Sequence, residues 1–322
     1  MLLITGLACT CQTSIEIPKP ADHVYIPQFP EDKEAAISFT FDDNCPSSLS
    51  TIVLTLDKYG YKATFFVIPN RIGSDERWKK WKKLDYEGHE IGNHSLNHQN
   101  LSKIQDIELL RNEINMAQDI IHKKIGKAPF SFAHPGHATN DMVDRIMFER
   151  HYASRMSPAK FCNWWGVVSI STVDAFENFM NDGIKTKAWM VIAAHGVGDG
   201  WKPISQNFFN QSLSLVNANE DKIYVDHFGN LARYKIERQE TKIIANEFEN
   251  KLLITLDSQI DTTVFNYPLT VVVANPKFKD GKITALEGSN IIGIMYKQDK
   301  ILIKVLPKSK IQIQNHWKPS KK

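Results

Sequence analysis

The chain is expected to fold as an α/β protein, a distorted and incomplete (β/α)7 barrel followed by a small all-β sandwich-like domain. Two observations carry this expectation. Seven short apolar runs of β type alternate with stretches of helical spacing up to residue 242. That alternation is the pattern of a parallel sheet with right-handed crossovers. Beyond it the helical spacing stops, and six short strand-like runs follow, several separated by turn signals. A chain of 322 residues has room for one large domain and one small one.

Taken in order, residues 1–34 read as a leader and a linker. A short apolar stretch runs into small residues and then Cys9 and Cys11. This resembles the end of a bacterial lipoprotein signal peptide with Cys9 as the lipidated residue, so export and a lipid anchor at Cys9 are expected, in the cell envelope or the periplasmic or extracellular space. An unordered segment with two free thiols is the competing reading. Pro18, Pro20, Pro27 and Pro30 then mark an extended linker.

Residues 35–242 carry the expected barrel. Its strand runs are Ala36–Phe41, Ala63–Pro69, His89–His94, Phe130–Pro135, His151–Arg155, Trp164–Ser171 and Ala188–His195. Helical spacing falls on Leu49–Tyr59, Arg77–Tyr86, Ile107–Ile121, Met142–Phe148 and Phe208–Val216. Periodicity does not show closure, so an open doubly wound sheet stays as an alternative. Residues 243–322 carry the small β-domain, with runs at Leu252–Leu256, Leu269–Ala274, Lys282–Leu286, Ile291–Tyr296, Ile301–Leu306 and Ile311–Gln314.

Composition excludes several function classes. A hydrophobic fraction of 42% supports a normal core, and a formal charge of +3 gives no reason to expect nucleic acid as a partner. No apolar run approaches the ~18 residues of a membrane-spanning helix. Past the leader only Cys45 and Cys162 remain, so the chain is no disulfide scaffold. The lysine-rich segment Arg77–Lys83 is read as a helix whose Trp78, Trp81 and Leu84 face inward while the lysines face water. The oligomeric state is open.

The chemistry gathers at strand ends. Asp42 and Asp43 close the first run, His94 ends the third with His98 just beyond, His134-Pro135-Gly136 ends the fourth, and His195 ends the seventh. In a parallel barrel all strand C-termini open onto one rim. Two adjacent carboxylates are costly to hold close unless a cation or proton lies between them. His94-Ser95-Leu96-Asn97-His98 offers two imidazoles at a spacing that suits one ion. Two His and one Asp leave positions open for water and substrate, the catalytic rather than structural pattern for zinc. Read alone, the histidine pair is equally a pair of surface or capping residues; the aspartates at another strand end favour the metal.

These residues also carry a family resemblance. Thr40-Phe41-Asp42-Asp43 and His94-Ser95-Leu96-Asn97-His98 look like the first two motifs of the polysaccharide deacetylases, the NodB-homology family or family 4 carbohydrate esterases. Pro135-Gly136 resembles part of the third motif, and Ala193-Ala194-His195 resembles the last. The resemblance covers about residues 35–240. It implies hydrolysis of N- or O-acetyl groups on a glycan, with a divalent metal (zinc, or else cobalt, nickel or manganese) on Asp43, His94 and His98. It makes Asp42 the general base and His195 the general acid, and it places a backbone N–H of Gly136 or His137 at the oxyanion.

The chain departs from the family pattern in places. The arginine that usually fixes the base two residues before Pro135 is Ala133 here, and Arg155 at the end of the next strand is the candidate substitute, with a surface arginine as the alternative. The usual pocket leucine is Ala193, which leaves Trp164, Trp165 or Trp201 to line a wider acetyl pocket. Asp174 is read either as the group that orients His195 or as a helix N-cap. Two other functions stay open: a metal-dependent hydrolase of a non-sugar C–N bond, and a glycan-binding protein with a decayed site.

Overall fold

The computed structural model describes residues 19–155, the backbone of 165–168, and residues 170–315. Cys9, Cys11, Cys162, Trp164 and the side chain of Trp165 lie outside the described residues. In chain order the first part contains β1 (Lys19–Pro20), β2 (Val24–Tyr25), β3 (Ala35–Asp42), α1 (Thr51–Asp57), β4 (Thr64–Val67), α2 (Asp75–Tyr86) and β5 (Glu90–Asn93). There follow α3 (Ile107–Arg111), α4 (Ala117–Ile125), β6 (Ser131–Phe132), α5 (Asp141–Met147), β7 (Ala153–Ser154), β8 (Trp165–Val168), α6 (Val173–Lys185) and β9 (Trp189–Ala194). Then come α7 (Gln206–Asn217), β10 (Ile223–Val225) and α8 (Phe228–Gln239). The β-rich remainder contains β11 (Thr241–Glu247), β12 (Lys251–Ser258), β13 (Leu269–Val273), β14 (Lys282–Leu286), β15 (Ile291–Lys297), β16 (Lys300–Val305) and β17 (Lys310–Gln314).

The parallel sheet runs β7-β6-β5-β4-β3-β9-β8. Among the described residues β7 and β8 do not pair, so the sheet curls into an incomplete barrel. The seven expected strands are joined by an eighth, β10, which pairs parallel with the first half of β3 (Ile223↔Ala35, Val225↔Ile37), while β4 pairs with its second half (Thr40↔Thr64). β10 was not among the expected strands. All eight residues of β3 are buried, as expected for a strand covered on both faces. Helix α2 is capped by Ser74, which accepts from the Arg77 N–H, and buries Trp78, Trp81 and Leu84 with its lysines outward. Helix α6 was not among the expected helices; Gly183 within it lets the helix lie close on β9, where a Cβ would meet Met190 Sδ at 2.2 Å.

The remaining strands form two antiparallel sheets, β1-β11-β12-β17-β14 and β15-β16-β13-β2, around one apolar core. The segment read as a linker supplies two of these strands. β1 pairs with β11 and β2 with β13, and Ala21, Val24 and Ile26 are buried in the shared core. Pro20 is tolerated because β1 is an edge strand. Helix α8 joins the two halves: Tyr234 lies in the sandwich core and donates to the Pro27 carbonyl at 2.9 Å.

Glu237 on the same helix is fully buried. Its Oε1 accepts the Tyr267 N–H at 2.9 Å, and its Oε2 has no partner. Burial pushes its pKa up to about 7, against the pull of Tyr267 N–H and Arg233. A raised folded pKa favours the fold below the unfolded value and loses that contribution as pH climbs through the folded one. Glu237→Gln should therefore gain stability over the parent between about pH 5 and 8, by on the order of 2 kcal/mol. Melting curves at the two pH values check this; a parent–variant difference independent of pH would contradict it.

Candidate functional site

The rim formed by the strand C-termini gathers the expected residues. Asp42 ends β3, and the chain turns at Asp43 and Asn44, both with positive φ (69° and 57°). That left-handed pair is unusual for non-glycine residues and has to be held by its surroundings. Asn44 does so, its side-chain amide bonding both the N–H and the carbonyl of Ile68 at 2.9 and 2.8 Å. Ser95 and His98 are likewise left-handed (62° and 63°). The Asn93 side chain accepts from Ser95 N–H at 2.9 Å, and Ser95 Oγ accepts from His98 N–H at 3.0 Å. Glu113, 1% exposed, accepts from Asn97 N–H at 3.0 Å, from the Asn97 amide at 2.6 Å and from Gln99 at 3.2 Å. It sits in a π-helical turn, Asn112–Met116, inserted between α3 and α4. Such turns recur at functional sites.

One oxygen of Asp43 and one nitrogen each of His94 and His98 lie within 4.8 Å of one another. Asp43 Oδ1 is 3.5 Å from His94 Nε2 and 3.3 Å from His98 Nε2, yet it is buried without a hydrogen-bond partner. His94 Nδ1 lies 2.7 Å from the Ala133 carbonyl. That contact places the proton on Nδ1 and leaves the Nε2 lone pair facing Asp43. Burial pushes the His94 pKa below its ordinary value and Arg155 adds to this, against the pull of Asp42 and Asp43. An orphaned carboxylate oxygen facing two imidazole nitrogens, one of them with its proton placed on the far side, is a donor set that fits a divalent cation.

Arg155 reaches Asp42 from four strands away. It is fully buried, and it donates from both terminal nitrogens to Asp42, at 2.8 Å to Oδ1 and 2.6 Å to Oδ2. The Thr40 hydroxyl accepts a third bond at 2.9 Å, and the guanidinium lies 5.0 Å over the Phe66 ring. Burial alone would raise the Asp42 pKa; Arg155 first, then His94, bring it instead to about 2. Asp42 is therefore a fixed anion at any ordinary pH. Ala133, where the arginine was missing, is fully buried, and the guanidinium enters from the neighbouring strand instead.

His195 ends β9 with Nε2 3.8 Å from Asp43 Oδ2. Trp201, 60% exposed, meets its ring edge-on with centroids 5.0 Å apart. Pro135 is buried and Gly136 is left-handed (φ 58°). The His137 N–H donates to the His134 carbonyl at 3.1 Å, so Gly136 is the remaining candidate for a free backbone donor. Asp174 is exposed in the first turn of α6, whose N-cap is Thr172, so the N-cap reading of it is corrected. Cys45 is buried filler whose thiol is pushed up to about 12 by burial and by Asp199, and Gly200 packs against its sulfur. Asp199 was missed by sequence reasoning. It accepts from Ser47 N–H at 2.8 Å and from the Ser47 hydroxyl, clasping the loop after His195 to the loop after Asp43.

The chain is similar to known proteins over part of its length. Residues 30–152 match the family model for polysaccharide deacetylase. A gellan lyase from Bacillus sp. is 26% identical over 276 residues, 76% of this chain and 11% of that protein. The Listeria monocytogenes peptidoglycan-N-acetylglucosamine deacetylase PgdA is 34% identical over 122 residues, 37% of this chain and 26% of PgdA. The chain thus spans about a quarter or less of the length of these relatives. A Mycobacterium smegmatis structure assigned to the polysaccharide deacetylases superposes with a TM-score of 0.52 at 16% identity, covering 69% of this chain and 96% of that one, which speaks to the fold. Over residues 30–152 the chain is thus similar to the polysaccharide deacetylases.

Proposed function

We propose that the chain is a metal-dependent hydrolase that removes N- or O-acetyl groups from a carbohydrate. One observation carries the reading: Asp42 is held at two points by Arg155, directly beside the Asp43, His94 and His98 cluster. Those three residues would hold a divalent ion, zinc first, with cobalt, nickel or manganese as alternatives. A bound ion supplies Lewis acidity toward an acetyl carbonyl and lowers the pKa of water. Asp42 accepts the proton of the attacking water, and Arg155 keeps its carboxylate in one orientation. Gly136 offers a backbone N–H to the oxygen on which charge develops. His195 donates the proton to the departing amine or alcohol.

Pro135 and the exposed Trp201 border the site on the substrate side. The Listeria relative is named for peptidoglycan N-acetylglucosamine and the Bacillus subtilis relative PdaC for peptidoglycan N-acetylmuramic acid. They support an acetylated cell-wall glycan as the substrate class. With the lipoprotein-like leader at Cys9, they support export to the cell envelope. The intact Asp42–Arg155 pair speaks against a decayed binding site.

Elemental analysis of the parent and of His94→Ala, both loaded with zinc, tests the centre. About one ion per parent chain and a large loss in the variant are expected, in step with acetate release from acetylated oligosaccharides. Equal metal content in the two proteins would end the reading.

A further inference from the structure

A cleft of about 830 Å³ opens at the end of the barrel opposite the rim. Its walls are the starts of β5, β6 and β7, the first turns of α8, and residues 263–266 from the β-rich half. Five stretches of chain therefore build one concave surface. The charged groups lining it are already matched: Asp85 with Lys127 at 2.9 Å, Arg150 with Asp119 at 2.6 Å, and Glu149 with Arg111. Glu90 accepts from Thr64, Ser131 and Gly229 N–H, each at 2.7 Å. Arg233 bonds the Val264 carbonyl at 3.2 Å and lies 3.9 Å over the Phe130 ring.

Polarity remains where charge does not. Gln118, 3% exposed, donates to the Arg150 carbonyl at 2.9 Å, but its Oε1 has no partner. His89, 2% exposed, accepts the Ala63 N–H on Nδ1 at 3.1 Å, which places its proton on Nε2, and Nε2 also lacks a partner. This acceptor and this donor are closed off from solvent, so they lie unsatisfied behind the cleft lining and a ligand would reach them only by shifting it. Asn266 is exposed at the same cleft. Tyr152, 42% exposed, stacks on Phe130 with centroids 5.2 Å apart, which stiffens it as a platform. Hydroxyl groups both donate and accept, and a pyranose ring has an apolar face that lies well on an aromatic ring.

We propose that this cleft is a second, non-catalytic binding site for a neutral pyranose segment of a glycan, at the opposite end of the barrel from Asp43, His94 and His98. It does not rest on the catalytic reading. The test uses the full chain treated with chelator to prevent turnover, and chitotetraose as the probe. Hydrogen exchange should show protection of residues 127–130, 149–152 and 263–266 on addition of the tetrasaccharide. In calorimetric titrations Tyr152→Ala should weaken this binding by about tenfold, as for an aromatic anchor. Asn266→Ala, an exposed change with little risk to folding, should weaken it several-fold. Both variants should release acetate from a small acetylated monosaccharide at the parent rate after metal is restored. Protection confined to residues 94–98 and 195–201, or titrations unchanged in both variants, would overturn the proposal. So would protection of the cleft by tetragalacturonate and not by chitotetraose, which would mark an acidic ligand. Loss of acetate release from the parent with cleft protection retained would remove the catalytic reading alone.

Discussion

Asp42→Asn is expected to lower turnover by ~10²–10⁴-fold while metal content stays at the parent level, the range typical for loss of a general base. The change is isosteric and leaves Asp43, His94 and His98 untouched. What it removes is the anion that Arg155 holds at 2.8 and 2.6 Å. One amide oxygen can still accept from Arg155, but the new amide nitrogen faces a second donor. The buried guanidinium then lacks its counter-charge. Breaking a buried pair from one side costs about 3–5 kcal/mol when nothing replaces the partner; the amide retains part of the contact, so a smaller loss is expected here. Melting temperature, metal content and acetate release from the same preparation separate the outcomes. A folded, metal-replete variant with near-parent turnover would return Asp42 to a structural role.

Arg155→Lys is expected to lower turnover by about 10–100-fold, the equivalent of losing one or two charge-assisted hydrogen bonds. Lysine keeps the positive charge but not the planar fork. One ammonium cannot span both oxygens of Asp42 and also reach Thr40, which accepts from the guanidinium at 2.9 Å. The carboxylate would then rotate among orientations, and the fraction aimed at the attacking water would fall. Metal content and KM should change little, because Arg155 bonds Asp42 and Thr40 rather than Asp43, His94 or His98. Metal lost in proportion to activity would mean that Arg155 assembles the centre rather than orienting the base. Parent-level turnover would leave Asp42 positioned by other groups.

What the sequence by itself determined is tied to local pattern. Alternating runs placed the seven expected barrel strands, and six β-type runs placed β12 to β17, because pleat and helix periods are written in neighbouring residues. The ligand trio was legible because Asp43, His94 and His98 stand at strand ends, and parallel strands deliver their ends to one rim. Trp78, Trp81 and Leu84 were legible as one buried stripe for the same reason of period.

Only the tertiary structure decided the contacts between segments far apart in the chain. Arg155 reaches Asp42 over 113 positions, and nothing local to Arg155 separates it from a surface arginine. Glu113 reads as an ordinary helix acid until Asn97 and Gln99 close on it. Asp174, read as a helix N-cap or a partner of His195, is an exposed residue of the first turn of α6, and the N-cap place is taken by Thr172. Lys19–Pro20 and Val24–Tyr25 read as linker, since proline-rich extended chain looks the same whether it is solvated or is an edge strand. A single sequence records the period of each element, whereas the partner of a polar side chain is set by how the sheet curls and which strand ends then face each other.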